Sequence, residues 1–346
     1  MTHFFNTVRI TNFKSLKDVT LNDCKRINLL IGKPNVGKSN ILEAIGLYGL
    51  GYSRFNKNKK LNQYVRFENS PELFFEGDIQ NYITLSINND IDEPNLRIQY
   101  LDSNLENLSD SLKLFDKSLK ISIFTDSTQS FFYVDNGLNI VEEAGFSGLS
   151  NVKFYKFQSN LTLEKQNLSY LIPPFGVNLL GVIQANKELR KDLSDIFLSY
   201  GLKLVFDIVN QSLKLMKQKS EDEIFLIPYS SMADTLQRVV FYKAAIASNQ
   251  NSILLFEEPE AHCFPPYIRQ ITQDIIDSET NQFFVATHSP YVLNDFLEYQ
   301  RDDVALYMAD FKNGETVVYR LTDDELDEVY NYGIDVFFNY ERFTSI

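Results

Sequence analysis

Gly32, Gly37, Lys38 and Ser39 stand in the spacing Gly-x-x-x-x-Gly-Lys-Ser, inside the stretch GKPNVGKS at 32–39. Glycines at these places let backbone N–H groups wrap a polyphosphate, the lysine neutralises β- and γ-phosphate charge, and the serine hydroxyl ligates Mg²⁺. A helix beginning at the loop adds its partial positive charge. Lys33, Pro34, Asn35 and Val36 would form the body of the loop and Asn40 its exit. The competing reading is an accidental glycine turn, against which stand the apolar run before the loop and the helical spacing after it.

A loop of this kind needs a metal-holding acid at the carboxyl end of another parallel strand. The stretch SILLFEEPEAH offers Ile253, Leu254, Leu255 and Phe256 as that strand, with Glu257 and Glu258 at its end. Adjacent acids can divide the labour, one holding Mg²⁺ and the other polarising an attacking water. NQFFVATHSP repeats the arrangement, with apolar Phe283 to Ala286 followed by Thr287 and His288. A histidine leaving a core strand can bond a terminal phosphate or orient the water. His262 fits loop packing or a subunit contact equally well. In YSSMADTLQRVV, Ser231 and Asp234 have the spacing of a capping box, with Leu236, Val239 and Val240 on the buried face. Such a helix start is also an anion site, able to meet a nucleotide held elsewhere.

The elements that would position these groups follow from periodicity. FNTVRITNF and VTLNDCKRINLLIG read as short strands leading into the glycine loop, and SNILEAIGLYGL as the helix after it. From about 64 to 157, runs such as ELFFEGDIQNYITLSINND and SFFYVDNGLNIV predict an antiparallel sheet. Between 175 and 220, NKELRKDLSDIFLSYG and FDIVNQSLKLMKQKS read as helices. From 230 onward helix and apolar strand alternate, predicting an α/β fold with a mostly parallel core.

The 346 residues, 44% of them hydrophobic, suffice for one large or two modest cores. Cys24 and Cys263 make no metal or redox pair, and no window has the ~18 uninterrupted apolar residues of a membrane span. A cytoplasmic protein is expected. The net charge of −13 argues against a general nucleic-acid-coating role. The densest basic stretch, Arg54, Lys57, Lys59, Lys60 and Arg66, reads more simply as a solvated loop.

Taken in order, VRITNFKSLKDVTL, IGKPNVGKSNILEAI, SSMADTLQR, LLFEEPEAHCFPP and FVATHSPYVLND resemble the ABC-type ATPases of the RecF, SMC and OLD (overcoming lysogenization defect) group, and most of all its short OLD-like AAA ATPases from bacterial defence and toxin loci. The resemblance spans nearly the whole chain. It implies a single P-loop ABC-type head over 1–346. Lobe I (1–165) would hold the loop and an antiparallel β-subdomain, and a helical lobe II (166–250) the signature-like segment. Residues 251–346 would hold the metal acid, the switch histidine and a finishing segment. The resemblance further implies ATP and Mg²⁺ as ligands, with Lys38 on the phosphates, Ser39 and Glu257 on Mg²⁺, Glu258 as base and His288 as switch histidine. Gln158 would sense Mg²⁺ between the lobes, and Asn12 and Lys14 would approach the nucleotide. Ser231 would reach the γ-phosphate held by a second copy, giving a homodimer or higher homo-oligomer.

The chain departs from this pattern at two places. Glu257 replaces the usual aspartate, and Ala233 with Asp234 replace signature glycines that allow close approach to phosphate. After His288 the sequence reads as two strands, an acidic helix and a tail, leaving no room for the nuclease domain of OLD nucleases. The expectation is therefore an ATPase controlling a separately encoded effector, a nuclease or toxin, in anti-phage defence. A RecF-like repair ATPase binding DNA directly is the alternative, and RNA falls in the same class. A third reading is an ATP-binding scaffold with negligible turnover.

Overall fold

The computed structural model describes residues 4–88, 95–101, 117–124, 129–142, 150–159, 161–207, 209–210 and 212–344. Parts of the strand-rich stretch at 64–157 therefore lie outside the described residues.

The chain opens with strands β1 (Val8–Phe13), β2 (Leu16–Leu21) and β3 (Ile27–Ile31), then helix α1 (Lys38–Gly46). β3 joins a six-stranded sheet with β9 (Val152–Tyr155), β13 (Ile253–Glu257), β14 (Gln282–Ala286), β15 (Val304–Lys312) and β16 (Glu315–Arg320), in the order β16-β15-β3-β14-β13-β9. Every neighbouring pair in it is parallel except β15 with β16. Strands buried on both faces read as continuous apolar runs, which is why β3, β13 and β14 are visible in the sequence.

Successive side chains of a strand point to opposite faces, and here the faces build two cores. Leu29, Phe256 and Phe283 pack toward helices α4 (Asp234–Ala247), α5 (Pro265–Asp277) and α6 (Pro290–Gln300). Leu30, Leu255 and Phe284 pack toward α1 and a second, antiparallel sheet. Each such fully buried side chain contributes about 1.5–3 kcal/mol. The second sheet has the order β2-β1-β4-β5-β6-β7-β8, adding β4 (Ile83–Ile87), β5 (Leu96–Tyr100), β6 (Lys117–Phe124), β7 (Gln129–Asp135) and β8 (Ile140–Glu142). No helix among the described residues is long and apolar enough to cross a membrane.

Three local expectations are corrected. ELFFEG, read as strand, forms 3-10 turns at Ser70–Leu73 and Phe75–Gly77, because Pro71 and the left-handed backbone of Glu76 break the extended run. The segment after α2 (Leu179–Ala185) and α3 (Lys187–Leu198), read as a second long helix, is instead β10 (Lys203–Asp207) and β11 (Ser212–Gln218). With β12 (Ile224–Pro228) they form a three-stranded antiparallel sheet. Leu213 and Leu215, two apart, are the buried positions of β11, so period two decides there. Residues 166–250 are thus not purely helical.

The third correction concerns Ser231. It lies in a 3-10 turn at Tyr229–Ser231, Met232 is extended and buried, and α4 begins only at Asp234 with Ala233 as an N-cap that offers no side-chain bond. The extended Met232 moves the helix start two residues too far for a Ser231 cap. The Asp234 carboxylate accepts instead from Arg238 one turn on, at 3.0 Å.

Candidate functional site

The glycine loop runs from the end of β3 to the first turn of α1. A Cβ on Gly32 would stand 2.3 Å from the carbonyl oxygen of Ala309, and one on Gly37, where φ is +102°, would stand 2.2 Å from Thr316 Oγ1. No side chain fits either place, so the loop's path needs glycine at both. Lys38 arches back over the loop and donates to the carbonyls of Gly32 and Lys33, each at 2.8 Å. Burial pushes its ammonium down to about 8, while Glu258 and Glu257 pull the other way.

The loop is braced from the far end of the chain. Asn40 donates to Ser15 Oγ at 2.8 Å, Ser15 and Thr316 share a hydroxyl bond of 2.7 Å, and Thr316 donates to the carbonyl of Val36 at 2.9 Å. Thr316 sits on β16, buried.

β14 stands next to β3 and β13 next to β14, all parallel, so the carboxyl ends of both open on the side of the loop. Ser39 Oγ donates to Glu257 Oε1. The next residue, Glu258, takes φ 44° and turns its side chain into the cleft, its N–H donating to the Ala286 carbonyl at 2.8 Å. His288 Nε2 lies 3.6 Å from Glu258 Oε1. Burial and the nearby Lys38 lower the imidazole's pKa, against the pull of Glu258, so the ring can accept or relay a proton at neutral pH. These groups line one cleft of about 500 Å³ with the loop itself.

Residues 32–40, Glu257, Glu258 and His288 are thus brought together. Gln158 lines an adjoining cleft of about 470 Å³ that shares Glu257 and Glu258 with the first. Lys14 lines the loop cleft, whereas Asn12 spends its side chain on Phe75, Asp78 and Asn81. Ser231 is exposed and lines neither cleft. Hard oxygen donors suit Mg²⁺, which takes one or two protein ligands plus phosphate oxygens. The Ser39 hydroxyl and Glu257 carboxylate converge as such a pair, and a cationic group, Arg66, already meets Glu257 at 2.7 Å. The residues present therefore fit the ion.

Sequence reading missed the charged cluster behind this pair. Glu43 on α1 is fully buried and bonds Lys14 at 2.6 Å and Arg66 at 2.8 Å, with Lys156 at 3.8 Å. Burial pushes Lys156 down to about 8, against the pull of Glu43 and Glu257. One signal was available: Glu43 falls among the apolar positions of α1, where a lone acid needs a buried partner.

The family described as "AAA domain, putative AbiEii toxin, Type IV TA system" matches residues 27–294. An "ATP/GTP phosphatase" from Helicobacter pylori is 23% identical over 322 residues, which is 82% of this chain and 85% of the relative. The "DNA replication and repair protein RecF" of Clostridioides difficile is 37% identical over 82 residues, 23% of this chain and 21% of that protein. Among solved structures, an Smc head bound to the C-winged helix domain of ScpA superposes with a TM-score of 0.54 at 18% identity, covering 93% of this chain and 99% of the other. That likeness is one of fold, and it makes the architecture that of an ABC-type ATPase head.

Proposed function

This chain belongs to the AAA-domain family that it matches over residues 27–294, and on that premise we propose how its cleft hydrolyses ATP and what the hydrolysis controls. The chain is an ATPase of the AAA/ABC type, related to RecF and SMC proteins. The observation that carries the rest is the convergence of the glycine loop, Glu257, Glu258 and His288 at the ends of three adjacent strands.

In this reading the loop N–H groups and Lys38 bind the β- and γ-phosphates. Lys38 exchanges its two carbonyl partners for phosphate oxygens, and the gained anion raises its pKa again. Mg²⁺, when bound, neutralises charge on the β- and γ-phosphate oxygens. Ser39 and Glu257 would hold it, with Gln158, which lines the adjoining cleft, as a further candidate contact. Glu258 accepts a proton from the water that attacks the γ-phosphorus, the bond to the leaving ADP oxygen breaks, and ADP and inorganic phosphate result. His288, at 3.6 Å from Glu258, orients that water or bonds the γ-phosphate.

Ser231, exposed and outside its own cleft, is free to complete the site of a second copy, so that two heads close on two ATP molecules. We place the chain in the short OLD-like group and assign it control of a separate effector, a nuclease or toxin, in anti-phage defence. The family description and the acidic surface support this reading over direct DNA binding. Two of the five cations in the basic stretch are already paired, Lys57 with Glu164 at 2.9 Å and Arg66 with Glu43 and Glu257. The test is Glu258→Gln. It should bind Mg-ATP, lose turnover by roughly 10²-fold or more, and shift to a dimer in light scattering only with ATP. Turnover at the wild-type rate would refute the assignment of the base, and a monomer throughout would refute the composite site.

A further inference from the structure

The loop Glu258–Phe264, between β13 and α5, is tied at both ends to other parts of the site. Glu260 is 8% exposed. Its Oε1 accepts from the Thr287 hydroxyl at 2.5 Å and from the backbone N–H of His288 at 3.2 Å. The Thr287 hydroxyl in turn accepts from the N–H of Ser289 at 3.0 Å. Two residues along, the His262 carbonyl accepts from the Thr235 hydroxyl at 2.7 Å, in the first turn of the helix behind Ser231. Glu258 and His262 both hold positive φ, 44° and 60°, without being glycine. Such backbone persists only where surrounding contacts enforce it.

A buried acid could serve only to pack its own loop. Glu260 does something more specific: both bonds of its Oε1 cross to the end of β14, and they capture the residue that carries the imidazole and the one before it. Its Oε2 is buried with no partner among the described residues, a costly arrangement that packing alone would not need. We propose that Glu260 is a positioning residue for ATP hydrolysis, fixing His288 against Glu258 and linking both, through the His262 carbonyl and Thr235, to the helix that follows Ser231. Burial also raises the Glu260 carboxyl above the usual range, against the pull of the Thr287 hydroxyl. The inference rests on the reading above, in which Glu258 and His288 serve hydrolysis.

The full-length protein with Glu260→Ala, Glu260→Gln, Thr287→Val and Thr287→Ser tests this by steady-state Mg-ATP hydrolysis, ATP affinity and thermal melting. Glu260→Ala and Thr287→Val should lower kcat roughly tenfold to hundredfold, the cost of a small misplacement, with KM and ATP affinity within about threefold of wild type. Glu260→Gln and Thr287→Ser, which keep the acceptor and the hydroxyl, should stay within about threefold of wild-type kcat. The double variant Glu260→Ala/Thr287→Val should be no slower than the worse single, since the two act as a unit. The proposal is overturned if either disruptive variant keeps wild-type kcat, if Glu260→Gln is as slow as Glu260→Ala, or if kcat and affinity fall together with the melting point. Should Glu260→Ala not fold, the contrast of Thr287→Val with Thr287→Ser decides. Glu258→Gln run in parallel separates the failures: an active Glu258→Gln sinks the site reading, whereas an inactive one beside an active Glu260→Ala sinks only this inference.

Discussion

Ser39 and Arg66 meet on a single oxygen: Glu257 Oε1 accepts from the serine hydroxyl and, at 2.7 Å, from the guanidinium. In the proposed reading this carboxylate would also serve Mg²⁺, whose charge it would meet as it here meets that of Arg66. Glu257→Gln keeps an acceptor for Ser39 and removes the charge. The Mg²⁺ concentration for half-maximal hydrolysis should then rise roughly tenfold to hundredfold, with ATP binding in EDTA unchanged. A magnesium titration of turnover that overlays wild type would show that Glu257 does not serve the ion.

How much of this was legible depended on range. The loop at 32–40, the strand before Glu257 and the strand before His288 are local signals, apolar runs ending in chemistry, and the structure brings them together. Glu43, Arg66 and Thr316 act through partners tens to hundreds of residues away, and no periodicity announces such pairs. The β10–β11 hairpin was lost because its apolar residues fit a helical spacing as well as an alternating one. Ser231 misled for a related reason, since a capping spacing says nothing of an extended Met232 between.

Thr316 illustrates the long-range part. Thr316 is 2% exposed, and directly beneath Gly37 its hydroxyl donates to the Val36 carbonyl and bonds Ser15. Thr316→Val leaves that buried carbonyl without its donor, at a cost of about 1–3 kcal/mol. Urea unfolding should show the loss and ATP titration a weaker Kd, while Thr316→Ser should restore both. Unaltered ATP affinity in a destabilised Thr316→Val would separate the loop's shape from this brace.

Glu43, fully buried, is the shared partner of Lys14, Arg66 and Lys156, with Glu257 as a second acid on Arg66. Removing one member of a buried charge group leaves the others uncompensated, typically at about 3–5 kcal/mol. Glu43→Gln should therefore lower the unfolding free energy by that order, and Glu43→Gln/Lys156→Met should regain part of it. A loss equal to the sum of the two single variants would mean that the pair is not coupled.

Lys153 gives the clearest pH signature. Its ammonium, 6% exposed, donates to Asn249 and Ser252, with no carboxylate in ion-pair range among the described residues, and burial pushes it down to about 8 from 10.5. Between these values the unfolded chain holds the proton that the folded chain has released. Stability from this group therefore rises with pH across about 8 to 10.5 and is lost as pH falls through 8, by at most about 3 kcal/mol. Denaturation curves from pH 7 to 10 should show Lys153→Met gaining on wild type at the lower end and the advantage shrinking upward. A pH-independent difference would contradict a buried, shifted lysine.

If two copies close on ATP as proposed, the Asp234 carboxylate would face the partner's γ-phosphate and repel it. The structure ties it down: Arg238, one turn along α4, donates to it at 3.0 Å, with the arginine side chain 17% and the aspartate 44% exposed. The helix thus neutralises its own anion, and the substitution for glycine need not block closure on ATP. Asp234→Asn should then change turnover by less than about threefold, as expected where a charge is already compensated. Arg238→Ala should release the carboxylate toward the phosphate and slow hydrolysis, and Arg238→Ala/Asp234→Asn should recover much of the rate. If the double variant stays as slow as Arg238→Ala, the arginine acts on the adjoining cleft beside Glu257 and Glu258, which it also lines, and not through Asp234. If Asp234→Asn alone raises the rate severalfold, the carboxylate is a brake that Arg238 does not relieve.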